Sequence, residues 1–344
     1  MPKPLTPVKR RIVEAAVKIR GDEPIDQLSF LHSILCTVGM PRKAIDERRF
    51  DRVNGAAMLR IEAGALYNGR ELIDQPLPYG VKPRLIMVHV SSEAVRQNRR
   101  DIEIGRSAHQ FLERLDLDTN SRSYAMTKKQ IMALAACRMT LGFMVGGMAR
   151  TINTEPFEKF DAWLQREDTG QMTMWPGVIE LSQKFYDTLR EHAVPLDPEA
   201  LKALKHSALA LDIYSWLAHR LCRLQRPTRL SNDNLKDQFG QEYREEREAM
   251  RAFNLALRQV LIVYPDARIE SVRGGLILKP SPPPVARLVL QGVDNSGEKT
   301  VEKPSYPRVI TPRIPHAIAP QSSPKDRKKF VQSPHDPLKE SLTD

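Results

Sequence analysis

A chain of 344 residues has room for about two domains. Its 53 lysines and arginines outnumber 42 aspartates and glutamates, and the formal charge of +11 favours polyanionic partners without choosing among DNA, RNA and anionic lipid. No run of about 18 apolar residues occurs, and the Pro- and Lys/Arg-rich residues 1–11 are not followed by an apolar stretch, so neither a membrane span nor a secretory signal is expected and the chain reads as soluble and cytoplasmic. Cys36, Cys137 and Cys222 are odd in number, far apart and set among apolar neighbours, which predicts reduced core thiols rather than a disulfide or zinc framework.

In chain order, residues 11–19 and 25–38 carry helical patterns but no chemistry. A turn at residues 77–80 precedes a first block of elements. Apolar residues from Leu85 to Val95 predict a helix over 84–96, and residues 102–104 a short strand. Ser107 caps a helix carrying Phe111, Leu112 and Leu115. After a turn at 117–120, Thr127 is expected to cap a longer helix carrying Ile131, Leu134 and Leu141. Residues 142–145 and 148–152, around Gly146 and Gly147, predict a hairpin.

A second block repeats the plan. Asp197 before Pro198 is a helix start, because the carboxylate caps free N–H groups and proline fits the first turn. Ser207 opens a helix with Leu209, Ile213, Trp216 and Leu217 on one face. Residues 228–230 read as a strand, Ser231 caps a short helix that stops at Gly240, a long helix is expected over 243–262, and residues 267–272 and 276–278 form a hairpin about Arg273, Gly274 and Gly275. From Pro280 onward the chain is Pro-, Ser- and Lys-rich, without apolar periodicity, and predicts a disordered tail whose basic cluster at 325–329 adds non-specific DNA affinity at most.

Helix, short strand, helix, turn, longer helix, hairpin is the order of a winged helix, and here it occurs twice. The expected fold class is α+β, mainly helical, with two tandem winged-helix-like domains. The expected division is an extension at 1–50, a first domain at 51–175, a second at 176–280 and the tail at 281–344. On the helix from Tyr243, at about 100° per residue, Arg244, Arg247, Arg251 and Arg258 share a stripe about 60° wide, opposite Met250, Phe253, Leu257 and Val260. A guanidinium fork can grip a phosphate, or the O6 and N7 of guanine, in bidentate fashion. Lys236, Arg268 and Arg273 are expected phosphate contacts beside it. In the first block Lys128, Lys129 and Arg138 are candidate DNA contacts, but they form no single stripe, and packing against a second protomer in a homodimer is equally open.

Catalytic constellations fail. There is no phosphate-cradling Gly-rich loop ending in Gly-Lys-Ser/Thr, and His89 is alone rather than one of a metal-binding His pair beside a tyrosine. Asp116, Asp118 and Asn120 begin like a calcium loop, but Ser121 and Thr127 stand where glycine and glutamate are needed. No catalytic residue, metal or cofactor is expected.

Two stretches, LPYGVKPRLIMVHVSSEAVRQNRRDIEIGRSAHQFLERLDL at 77–117 and PLDPEALKALKHSALALDIYSWLAHRLCRLQRPTRLSNDNLKDQFG at 195–240, the latter continuing into YPDAR and GGLILKP, resemble the plasmid-encoded RepA replication initiators. The resemblance spans about 77–285. It implies a protein that binds repeated sites in double-stranded DNA at a plasmid origin, promotes duplex opening, recruits host replication proteins such as the initiator and helicase, and takes part in copy-number control through protein contacts. The weaker basic character at 127–165 departs from the usual pattern and puts direct readout by the first domain in doubt. Other readings are a winged-helix transcriptional repressor on an operator, a primase or nicking enzyme, and an RNA-binding module.

Overall fold

The computed structural model of the chain describes residues 5–21, 27–105, 107–145, 147–160 and 177–285. Residues 286–344, including the basic cluster at 325–329, lie outside the described residues, so all but the first five residues of the expected tail do too. The chain opens with α1 (Pro7–Arg20), started by the Thr6 hydroxyl, which accepts from the Lys9 amide at 3.4 Å, and by Pro7 in the first turn. The expected helix at 25–38 is instead a strand, β1 (Ser29–His32), followed by the five-residue α2 (Ser33–Thr37). His32 makes the break: its ring Nδ1 accepts from the Ile34 amide at 3.1 Å and so caps the short helix. Residues 49–74, to which the sequence pattern assigns no element, form β2 (Arg49–Asn54), β3 (Ala57–Glu62), β4 (Ala65–Tyr67) and β5 (Leu72–Asp74).

The first block follows the expected order: α3 (Val81–Gln97), β6 (Asp101–Glu103), α4 (Ala108–Arg114), α5 (Ser121–Ala136), β7 (Arg138–Val145) and β8 (Met148–Thr154), then β9 (Phe157–Phe160) and β10 (Val178–Leu181). Ser107 caps α4, accepting from the Gln110 amide at 3.2 Å. Thr127 is not a cap. Asn120 starts α5, accepting from the Ser123 amide at 2.8 Å, and Thr127 is buried one face in, where it accepts from Lys82 Nζ at 2.9 Å. Leu141 belongs to β7 rather than to the helix. The strand pairing also departs from the expected plan: β7 and β8 join the N-terminal hairpin in a sheet of order β2-β3-β7-β8, whereas β6 pairs with β10 in a sheet of order β6-β10-β9.

The second block comprises α6 (Gln183–His192), β11 (Ala193–Leu196), α7 (Pro198–Leu204), α8 (Ala208–Arg220), β12 (Thr228–Ser231), α9 (Asn232–Phe239), α10 (Glu246–Val263), β13 (Ile269–Val272) and β14 (Gly275–Leu278). Asp197 and Ser207 cap α7 and α8 as expected, accepting from Glu199 at 2.8 Å and Ala210 at 3.2 Å. The last three strands close a sheet of order β12-β14-β13. Cys36 and Cys137 are buried, but Cys222 is exposed, against the expectation of a core thiol. The Pro-rich segment does not leave the fold at Pro280: Ser281 is buried and Tyr264 donates to the Pro282 carbonyl at 2.6 Å. With fourteen strands among the described residues, the architecture is mixed α/β rather than mainly helical.

The first fifty residues are built into the core. β1 runs antiparallel to β11, α1 packs on α7 and α10, and one apolar cluster runs from Ile12 through Ile86 and Trp216 to Leu278. Inside it lies a charged knot. Arg84 grips Asp212 bidentately, Nε to Oδ1 at 2.7 Å and Nη2 to Oδ2 at 2.8 Å. Arg42 lies 3.6 Å from both Asp212 and Glu242, and Arg52 donates to Glu242 at 3.0 Å and to Gln241 at 3.1 Å. Three guanidiniums thus face two carboxylates. Several other donors go to main-chain carbonyls, Arg84 to Met40, Pro41 and Gly80 and Arg42 to Phe239, while Arg42 Nη1 makes no hydrogen bond. Gly39, at φ +73°, leaves room for the Asp212 carboxylate, which a Cβ there would approach to 3.1 Å.

Removing one partner leaves a buried charge unpaired, so Arg84→Met is expected to destabilise the fold by about 3–5 kcal/mol in urea unfolding. Arg84→Met combined with Asp212→Leu is expected to recover part of that loss, because both charges leave together. Equal losses in the single and double variants would show that packing, not charge, sets the effect.

A second polar cluster is neutral. His32, His192 and His219 meet between β1, α6 and α8, with His32 and His192 ring centroids 6.0 Å apart and His219 Nδ1 3.3 Å from Thr37 Oγ1. Burial, helped by the neighbouring His192, lowers His32 to about 3, and burial with Arg223 lowers His219 to about 3. Since the unfolded histidines have the ordinary value of 6.5, the unfolded state binds more protons below that pH. Stability contributed by neutral burial is therefore complete above about pH 6.5 and drains away as pH falls towards 3. Each histidine is expected to cost about 2 kcal/mol at pH 5 relative to pH 7.5. Urea midpoints measured across that window check this, and His219→Gln should flatten the slope.

Candidate nucleic-acid interface

The local sequence explains why α9, α10 and the β13–β14 hairpin stand together. Ser231 and Asn234 form a reciprocal capping box that starts α9: the Ser231 hydroxyl accepts from the Asn234 amide at 3.1 Å and Asn234 Oδ1 accepts from the Ser231 amide at 3.2 Å. α9 stops at Gly240, and the chain turns through Gln241 to Glu245 before α10 begins. That turn is fixed from the other side of the molecule, because Arg42 and Arg52 hold Glu242 and the Gln238 side chain donates to the Thr37 carbonyl at 3.2 Å. The hairpin turn at Arg273 and Gly274 docks on the start of α9, where the Asn232 amide donates to the Gly274 carbonyl at 2.9 Å. Glycine is required at 275, since a Cβ there would lie 1.9 Å from the Leu230 carbonyl oxygen across the ladder.

α10 buries Ala249, Phe253, Ala256, Leu257, Val260 and Val263, with Met250 half-buried. Phe253 packs on Phe239, which in turn meets Trp216 of α8, ring centroids 5.3 Å apart in both pairs. On the opposite side Arg247, Arg251 and Arg258 are exposed, and among the described residues none has a hydrogen-bond or ion-pair partner. Arg244 is exposed but precedes the helix, whose N-cap is Glu245, so the expected row of four is a row of three, about 40° wide, with Arg244 in the lead-in turn. The sequence pattern could not place that start, because the acidic residues 245, 246 and 248 suit a first helical turn wherever it begins.

The other expected contacts sort by partner. Lys236 is exposed on α9 but lies 3.3 Å from Glu246, so it is already paired. Arg268, just before β13, and Arg273, in the hairpin turn, are exposed. The structure adds Arg229 on β12, exposed and donating to the Arg273 carbonyl at 2.9 Å, which holds its guanidinium beside the turn. The two arginines of the RPTR run at residues 226–229 are the sequence signal for this contact. In the first block Lys128 is half-buried and Lys129 exposed on α5, whereas Arg138 starts β7 and pairs with Glu155 at 3.3 Å. These three are not brought into one patch with the α10 row.

Among the described residues no group of three or more His, Cys, Asp or Glu side chains could hold a metal, and no helix is long and apolar enough to cross a membrane. A cleft of about 700 Å³ between α1, α3 and α7 is lined by charges that are largely paired already, Lys18 with Glu199 and Lys205 with Asp116. His89, half-buried at its back beside Phe111, is lowered to about 4 by desolvation.

Residues 77–234 match the family described as plasmid encoded RepA protein, a segment that runs from the turn before α3 into α9. Among solved structures, the chain is similar to the crystal structure of the RctB domains 2-3, at 11% identity and a TM-score of 0.45, over 75% of this chain and 99% of that one. It is also similar to a selenomethionine derivative of domain2 and domain 3 of RctB, at 10% identity and a TM-score of 0.43, over 72% and 98% of the two chains. No curated protein sequence matches it. The stretch that matches the plasmid encoded RepA family, residues 77–234, carries Arg84, Asp212 and the capping box of α9.

Proposed function

We propose that this protein is a plasmid replication initiator that binds repeated duplex sites in the plasmid origin through its second block, without an enzymatic step of its own. The observation that carries the reading is the row of Arg247, Arg251 and Arg258, exposed and unpaired among the described residues on a helix that follows a capped short helix and a fixed turn. The element order α8, β12, α9, α10 and the β13–β14 hairpin, with the strand order β12-β14-β13, supports reading the second block as a winged helix. In that arrangement α10 enters the major groove, and Arg229, Arg268 and Arg273 flank it at the level of the phosphates. The first block has different strand pairing, so its part in the reading is structural, with Lys129 the one exposed lysine of α5 able to reach a backbone. Opening of the duplex would draw on binding energy, since distorting a short site costs a few kcal/mol that further contacts can offset. Host replication proteins would then be recruited to the opened region. The positive charge, and a compartment where the exposed Cys222 stays reduced, suit a cytoplasmic DNA-binding protein.

The test is duplex binding at several salt concentrations, with the DNA flanking the gene as probe, for the full chain and for Arg247→Ala combined with Arg251→Ala. The wild type is expected to prefer repeats in that DNA over competitor. The variant is expected to lose the preference and to flatten the log–log salt dependence by about one unit for each phosphate contact removed. The same pair of proteins, supplied in trans to a plasmid that carries the origin alone, should separate initiation from repression. A chain that silences a promoter but does not maintain the plasmid is a repressor, and one that binds nothing above non-specific affinity is not a DNA reader.

A further inference from the structure

Two side chains on the exposed face of α10 are explained neither by packing nor by charge. Leu255 is 61% exposed, the most exposed large apolar side chain of the second block among the described residues. Asn254 beside it is exposed, and its carboxamide has no hydrogen-bond partner among the described residues. Both lie in the middle of the arginine row. By helix geometry Asn254 sits about 40° to one side of Arg258 and Leu255 about 60° to the other, between Arg247 and Arg258, which are about 16 Å apart along the axis.

A solvent-facing helix surface gains nothing from an isolated leucine, whereas a groove-facing one can. In the major groove adenine offers an N6 donor beside an N7 acceptor, the complement of a carboxamide, and thymine offers a methyl group that takes an apolar neighbour. The flanking arginines suit phosphate oxygens or guanine. We propose that Asn254 and Leu255 are the specificity-determining residues of α10, reading A·T pairs at the centre of the bound site, Asn254 through adenine and Leu255 through the thymine methyl. The inference rests on the DNA-binding reading above and goes further by naming the bases. Neither residue contributes to the buried face of α10, so replacing them leaves the Phe253–Phe239–Trp216 packing in place.

The experiment selects duplexes from a randomised library with the full wild-type chain, then titrates the selected duplex with wild type, Asn254→Ala, Leu255→Ala and the Arg247→Ala/Arg251→Ala variant. The selected consensus is expected to contain central A·T pairs. Asn254→Ala should bind it about tenfold more weakly, within the range of one lost bidentate base contact. Replacing the central adenine by 7-deazaadenine should weaken wild type but leave Asn254→Ala unaffected, and replacing thymine by uracil should weaken wild type but leave Leu255→Ala unaffected. The inference is overturned if either variant keeps wild-type preference, or if the altered bases penalise wild type and variant equally, even where the double arginine variant loses binding. If no consensus is selected, or the double arginine variant binds as wild type does, the DNA-reading role of α10 itself fails, and the base assignment with it.

Discussion

The grip of Arg84 on Asp212, with Arg42, Arg52 and Glu242 gathered around it, is the interaction on which the rest of the structure depends. It joins α3 to α8, draws in the loop at Met40 and Pro41, and reaches the turn that leads into α10. Burying five charges is costly, and the excess of one cation over the anions is offset in part because main-chain carbonyls take up several of the surplus donors. Carbonyls can do so only where the chain is irregular, at Met40, Pro41, Gly80 and the end of α9. The loops are therefore as necessary to the knot as the helices are. An apolar cluster of the same size could pack as tightly but would tolerate small rotations between its elements. Directional bonds at 2.7 and 2.8 Å do not.

That rigidity bears on the proposed DNA contact. A helix that reads base edges must be held in orientation as well as in place, because a small error displaces several side chains from their base pairs at once. α10 is braced on its apolar side by Phe253, Phe239 and Trp216, and at its start by the Arg42 and Arg52 hold on Glu242. Both halves of the molecule therefore set the direction of one exposed helix. α1 adds a third brace by packing on α10 and α7.

The histidine cluster and the charged knot solve one problem in opposite ways. Histidine can stay neutral when buried, and it does so at the junction of β1, α6 and α8, at the cost of stability in acid. Arginine cannot shed its proton, so it is buried only where carboxylates and carbonyls meet its donors. The two clusters lie about two turns apart along α8, since Asp212 and His219 are seven residues apart. Between them the central helix Ala208–Arg220 is tied at Asp212 and at His219.

Local chemistry was written in the sequence wherever one residue decides an outcome alone. Asp197, Ser207 and Ser231 cap the helices they were expected to cap, the turn at Gly240 ends α9, the second hairpin falls about Arg273 and Gly274, and residues 77–234 match the plasmid encoded RepA family. What failed lay where partners distant in sequence compete with local propensity. The helical pattern at 25–38 yields to a strand because β11 offers it a ladder 160 residues away, β6 pairs with β10 rather than with its own hairpin, and Thr127 gives up the cap to Asn120 because its hydroxyl is needed by Lys82. The arginine row was legible from periodicity, since exposure on a helix is a matter of angle. Its first member was not, because Glu242 is held by arginines from 190 and 200 residues earlier, which fixes where the helix can begin. Sequence alone determined the caps of α4, α7, α8 and α9 and the charged stripe on α10. Tertiary structure decided which strands pair and where α10 starts, because those depend on hydrogen bonds and ion pairs whose two ends lie far apart along the chain.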